Sequence, residues 1–138
     1  SANGGGLGAI ANIGKLYISN SVVSGNSAPD MRQTGQGGVT YFVGGNTVGL
    51  FRMANGSAII ESGTHFFDRI SDDQYGSGTV IISAGASIQL TSSIAPGGSI
   101  QVVGGTCTVN GHTIVESTYT QINNDGTTVP PQPEPAEE

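Results

Sequence analysis

The run Gly4-Gly5-Gly6-Leu7-Gly8-Ala9-Ile10 leads into Leu16-Tyr17-Ile18-Ser19-Asn20-Ser21-Val22-Val23-Ser24-Gly25-Asn26-Ser27-Ala28. A glycine cluster precedes short β-prone stretches, and each stretch stops at Gly, Asn or Ser within about six residues. Such a chain turns a corner, runs a short strand and turns again. Long helices are disfavoured, because each interior glycine costs about 1 kcal/mol and the chain holds 23 glycines. Disorder is disfavoured too. Disordered chains join low hydrophobicity to high charge, whereas this chain has 10% charged and 36% hydrophobic residues, the latter rich in Val and Ile. Its 138 residues suffice for one domain with a core. The expectation is an all-β β-solenoid, whose coils bury their side chains by stacking.

Further along, Val39–Val43, Thr47–Met53 and Ser57–Glu61 are expected strands, with Asn55-Gly56 as a tight turn. From Gly78 onward the expected runs are Thr79–Ser83, Ser87–Leu90, Ser99–Val103, Thr106–Val109 and Thr113–Glu116. Ile81 to Ile100 and Gly85 to Gly104 are both nineteen residues apart, a step within the solenoid range. About six irregular coils are expected over residues 1–126. Ile18, Val22, Val43, Ile59, Ile81, Ile88, Ile100, Val102 and Ile114 are expected to point inward. The segment 65–76 is charged and aromatic, and is expected to leave the coil. Residues 127–138 hold four of the six prolines and three glutamates, which predicts an acidic, semi-rigid linker or tail.

Net charge is −6, and Lys15, Arg32, Arg52 and Arg69 are scattered along the chain. No basic run marks a nucleic-acid partner. No apolar run approaches the 18 or so residues that span a membrane. Cys107 is the one cysteine, in an alternating strand pattern, and is expected to be a buried small hydrophobe. The first residue is Ser1, which is expected of a mature or excised piece of a longer chain, so a missing leader carries no information.

The Gly4-Gly5-Gly6-Leu7 to Ser24-Gly25-Asn26-Ser27-Ala28 unit resembles the repeat of bacterial right-handed parallel β-helix surface proteins. There a Gly-Gly-Gly-Ile stretch, a spacer and a strand pair close in Ser-Gly-Asn-Ser-Ala. The polymorphic outer-membrane proteins and related adhesins carry similar units. Phe51-Arg52-Met53-Ala54 places Asn55 one position beyond the Phe-x-x-Asn signature of the polymorphic proteins. The resemblance implies a right-handed parallel β-helix, export, exposure on a cell surface and an adhesive role, while low charge, the lack of a complete catalytic set and the linker tail point to a non-enzymatic structural module. The implied part is an adhesin stalk or a fibre subunit. The implied partner is a host-surface or matrix glycan or protein, or a second copy of the chain.

Other β-helices cleave pectin with grouped Asp residues that hold Ca²⁺ or act as acid and base. His65, Asp68, Arg69, Asp72, Asp73 and Tyr75 form the one window with comparable residue types. Asp68, Asp72 and Asp73 are the metal or carboxylate candidates; His65, Arg69 and Tyr75 are the binding candidates. Adjacent Asp72 and Asp73 on a strand would point to opposite faces. No second carboxylate set accompanies them, so a polar loop without metal, cofactor or catalysis is the main expectation. His112 is expected on a turn. Tyr41, Phe42, Phe51, Phe66, Phe67 and Tyr75 fit either a core or a sugar-stacking platform, the latter requiring two exposed aromatics in a row on one face. The glycine clusters lack the Lys-Ser/Thr and the helix of a phosphate loop.

Overall fold

The computed structural model describes residues 10–23, 31–33, 37–72 and 76–131, with Arg32 described by its backbone. These residues form an all-β solenoid of about four turns, without a helix. Strand β1 (Ile10–Asn12) precedes a first coil of β2 (Lys15–Ser19), β3 (Val22–Val23) and β4 (Met31–Gln33). The second coil is β5 (Val39–Val43) and β6 (Thr47–Met53), and the third is β7 (Ser57–Ile60) and β8 (Gly63–Asp72). The fourth is β9 (Gly78–Ser83), β10 (Ala86–Leu90) and β11 (Ser93–Ala95). A fifth begins with β12 (Gly97–Val103) and β13 (Cys107–Val109). The four turns replace the six expected, because residues 112–129 fold back antiparallel on the last strands instead of adding further coils of about twenty residues. Sheet B holds β2, β5, β7, β9 and β12 in parallel order.

Sheet A is bent into two facets. Strands β3 and β4 pair with opposite halves of β6, and β10 and β11 pair with opposite halves of β8. The bend shows as two consecutive exposed residues, Asp68 and Arg69, which interrupt the alternation of β8. Each coil therefore has three flat sides around one core. Ile18, Phe42, Ile60, Ile82 and Val102 stack at successive levels of one side, and Met31, Phe51, Ile70 and Ile94 of another. Phe42 joins the sides edge-on to Phe51 and Phe67, with ring centroids 5.4 and 5.1 Å apart. Each such pair adds roughly 0.5–1.5 kcal/mol beyond the area buried.

Beyond β13 the chain reverses. Strand β14 (His112–Ile114) runs antiparallel on β13, β15 (Ser117–Tyr119) on β12, β16 (Gln121–Asn123) on β11, and β17 (Thr128–Val129) on β16. Asn110 and Gly111 turn the first hairpin, with φ of 49° and 81°. Two successive positive φ angles are what a tight primed turn needs, so Asn-Gly is suited to it. Asp125 accepts hydrogen bonds from the N–H and Oγ1 of Thr127, at 3.0 and 2.6 Å, and so shapes the turn into β17. The boundary expected after residue 126 is thus corrected, since Thr128 and Val129 belong to the sheet. Residues 132–138 lie outside the described residues.

The expected excursion and the facing of four residues are also corrected. Positions 65–72 are not an excursion but most of β8, the longest strand, while 73–75 lie outside the described residues. Val22 is 73% exposed, and Val43, Ile59 and Ile81 are half-buried on the outer face of sheet B. Ile18, Ile88, Ile100, Val102 and Ile114 point inward as expected. The parity errors have a physical source. In Val80-Ile81-Ile82 both strand faces are apolar, so alternation is silent, and the neighbouring coil sets the register. Gly98 is an extra residue between Gly97, which pairs with Gly78, and Ser99, which pairs with Thr79. This bulge makes Ile81 pair with Gln101, so the nineteen-residue step to Ile100 crosses from one face to the other. A Cβ at Gly98 would run into the carbonyl oxygen of Gly78, so the bulge needs glycine.

Candidate functional site

The His65 imidazole and the Cys107 thiol are absorbed by the architecture. His65, one of the binding candidates, is fully buried. Its Nε2–H donates to the Glu61 carbonyl at 3.0 Å, and Nδ1 faces the Asn46 amide nitrogen at 3.5 Å. That pattern suits the neutral ring, and burial holds its pKa below the ordinary 6.5, against the opposing pull of the Glu61 carbonyl. Asn46 in turn accepts from the Ser21 N–H at 3.0 Å and donates to the carbonyls of Ile18 and Val43, each at 3.2 Å. One side chain thus ties the corners of two coils. Cys107 is buried, and desolvation pushes its thiol up to about 11, which leaves it protonated and unreactive at neutral pH.

Asp68 and Asp72 are both exposed on β8, four residues apart and so separated by roughly 13 Å of extended strand. Asp68 accepts from the Thr91 hydroxyl at 3.0 Å. The two carboxylates do not meet at one site. Asp73 and Tyr75 lie outside the described residues, and among those described no group of three or more metal-ligating side chains gathers. His112 is exposed on the C-terminal hairpin.

What the fold does bring together is a groove of about 450 Å³ on the second facet of sheet A, lined among the described residues by Arg52, Arg69, Ser71 and Asp72. Ala11, Arg32, Arg52, Ser71 and Ala95 occupy successive paired positions across this facet. The short Ser71 side chain beside the long Arg52 lies within the groove. Arg69, at the bend, pairs with Leu50 and so sits diagonally across from Arg52. The register also sets Arg32 opposite Arg52. Three of the four basic residues, expected to be scattered, therefore occupy neighbouring ladder positions. Among the described residues no hydrogen bond or ion pair engages the Arg52 or Arg69 guanidinium.

The aromatic candidates divide between core and surface. Phe42, Phe51 and Phe67 are core, while Tyr41 and Phe66 are half-buried on outer faces. Sequence reasoning missed Tyr17 as the partner of Tyr41. Their rings stack at 4.5 Å and 8°, with the Lys15 ammonium 5.7 Å from both centroids. Each β-run here alternates, so the signal lay in one Tyr per strand at the same parity. Compared with known proteins, the chain matches no family model, no curated protein and no solved structure.

Proposed function

We propose that this β-solenoid is a non-enzymatic surface module of an exported protein, a stalk that presents flat side-chain ladders to a partner. The observation that carries the reading is the fate of its reactive groups. The His65 imidazole and the Cys107 thiol are buried in structural roles, whereas the polar ladders of sheet A face outward. A stalk is favoured over a fibre subunit, because the antiparallel strands β14 to β17 leave no parallel coil to extend at the C-terminal end. The alternative is a carbohydrate-active or glycan-binding β-helix. Its glycan-binding form is favoured over catalysis by the separation of Asp68 and Asp72 on one strand.

The test is retention on immobilised polysaccharides and matrix proteins, with light scattering in parallel. Binding without cleavage by a single-chain particle is expected. New reducing ends or unsaturated sugars would overturn the non-enzymatic reading, and filaments would overturn the stalk.

A further inference from the structure

We propose that the Arg52–Arg69 groove binds the carboxylate-bearing rings of an acidic saccharide. The inference rests on the binding-module reading and names its ligand class. The chain carries four basic residues against ten acidic ones, yet the fold sets Arg32, Arg52 and Arg69 at adjacent ladder positions. Nothing in the packing of the solenoid requires this. Ser71 and Ala95, at the next levels of the same column, show that short side chains serve there equally well. The guanidiniums of Arg52 and Arg69 line an open groove, unengaged among the described residues. A planar fork of donors matches a carboxylate in two parallel hydrogen bonds.

The other lining groups select among anions. The Ser71 hydroxyl both donates and accepts, and the Asp72 carboxylate only accepts. Asp72 repels a compact, multiply charged phosphate but accepts hydrogen bonds from the hydroxyls beside a sugar carboxylate. The volume of about 450 Å³ lies in the range of small-ligand sites.

The test uses two oligosaccharides with one backbone: a β-1,4-linked glucuronic acid hexamer and cellohexaose, in which hydroxymethyl replaces each carboxylate. Calorimetric titration of the full chain is expected to show binding of the acidic hexamer, weakening with added salt, and at least about tenfold weaker binding of cellohexaose. Arg52→Gln and Arg69→Gln are each expected to weaken the hexamer by roughly tenfold or more, and Arg69→Lys by less, because it keeps the charge without the fork. Asp72→Asn is expected to weaken the hexamer while strengthening inorganic phosphate. Circular dichroism and the thermal midpoint of Arg69→Gln, a change at an exposed position, should match the parent protein.

Equal binding of the two hexamers would overturn the inference, as would acidic-hexamer binding unaffected by the arginine changes. Phosphate binding that exceeds hexamer binding would overturn the saccharide assignment. In each of these cases the binding-module reading stands. If the hexamers and every immobilised glycan and protein fail to bind, both fall together.

Discussion

The two ends of the solenoid solve the same problem differently. At the C-terminal end the interior is aliphatic, with Ile88, Ile94, Ile100, Val102, Val109 and Ile122, and the chain reverses to pair antiparallel on the last coils. At the N-terminal end the interior is partly polar. Asn12, Gln33 and Thr40 are buried and joined to one another: Asn12 donates to Gln33 at 2.8 Å and to Thr40 at 3.1 Å, and Thr40 donates to Gln33 at 2.7 Å. The Nε2 of Gln33 is buried without a partner among the described residues. Each inner coil is templated by two neighbours, but an end coil has one. The last coils are covered by antiparallel backbone, whereas the first described coil carries a buried cluster of amide and hydroxyl side chains. The comparison teaches that stacking alone does not finish a solenoid.

The largest test replaces inward residues at the two ends of one column, in which Leu16, Thr40, Ala58, Val80 and Ile100 succeed one another. Ile100→Ala is expected to cost about 2–5 kcal/mol in denaturant unfolding. Leu16→Ala, half-buried in the end coil, should cost less than half as much. Equal losses would break the comparison. Next comes Asn110, whose side chain accepts from the Leu90 N–H at 2.9 Å and donates to the carbonyls of Leu90 and Asn124 at 3.0 and 2.7 Å. Asn110→Ala is expected to cost about 1–3 kcal/mol and to loosen the cap first, read as faster amide exchange in β14 and β16.

Thr40→Val removes one member of the polar cluster and is expected to cost about 1 kcal/mol. A gain in stability would mean that the N-terminal interior tolerates an apolar core. The smallest effect is that of pH. His65 takes a proton less readily when folded than at its unfolded value of 6.5. Its contribution is therefore complete above pH 6.5 and declines as pH falls below it, because the unfolded chain then binds the proton more strongly. Unfolding measured at pH 7.5 and 5.5 should show this decline, and His65→Gln should reduce it.

How much was legible beforehand depends on the interaction that decides each feature. Asn110-Gly111 carries its turn in two residues, because the φ angles of 49° and 81° that it needs are local to them. Ile88 and Ile100 were legible as core, since their strands alternate. Val22, Ile59 and Ile81 were not, because pairing with the adjacent coil and the bulge at Gly98 set their facing. Thr40 points inward against its polarity, since Asn12 and Gln33 meet it there. The groove was the least legible. Arg69 was singled out, but Arg52 was not, because seventeen residues of chain separate them and only the register of β6 against β8 brings them together.

The sequence by itself determined the class of architecture. Frequent glycine and asparagine corners, short β-branched runs and few charges leave little besides short strands packed by stacking. The tertiary structure alone decided which face of each strand is buried, where the stacking stops, and which arginines share a groove. The physical reason is that corner and strand preferences act within a few residues, whereas register is a hydrogen-bonded relation between coils about twenty residues apart, and a single bulged glycine shifts it.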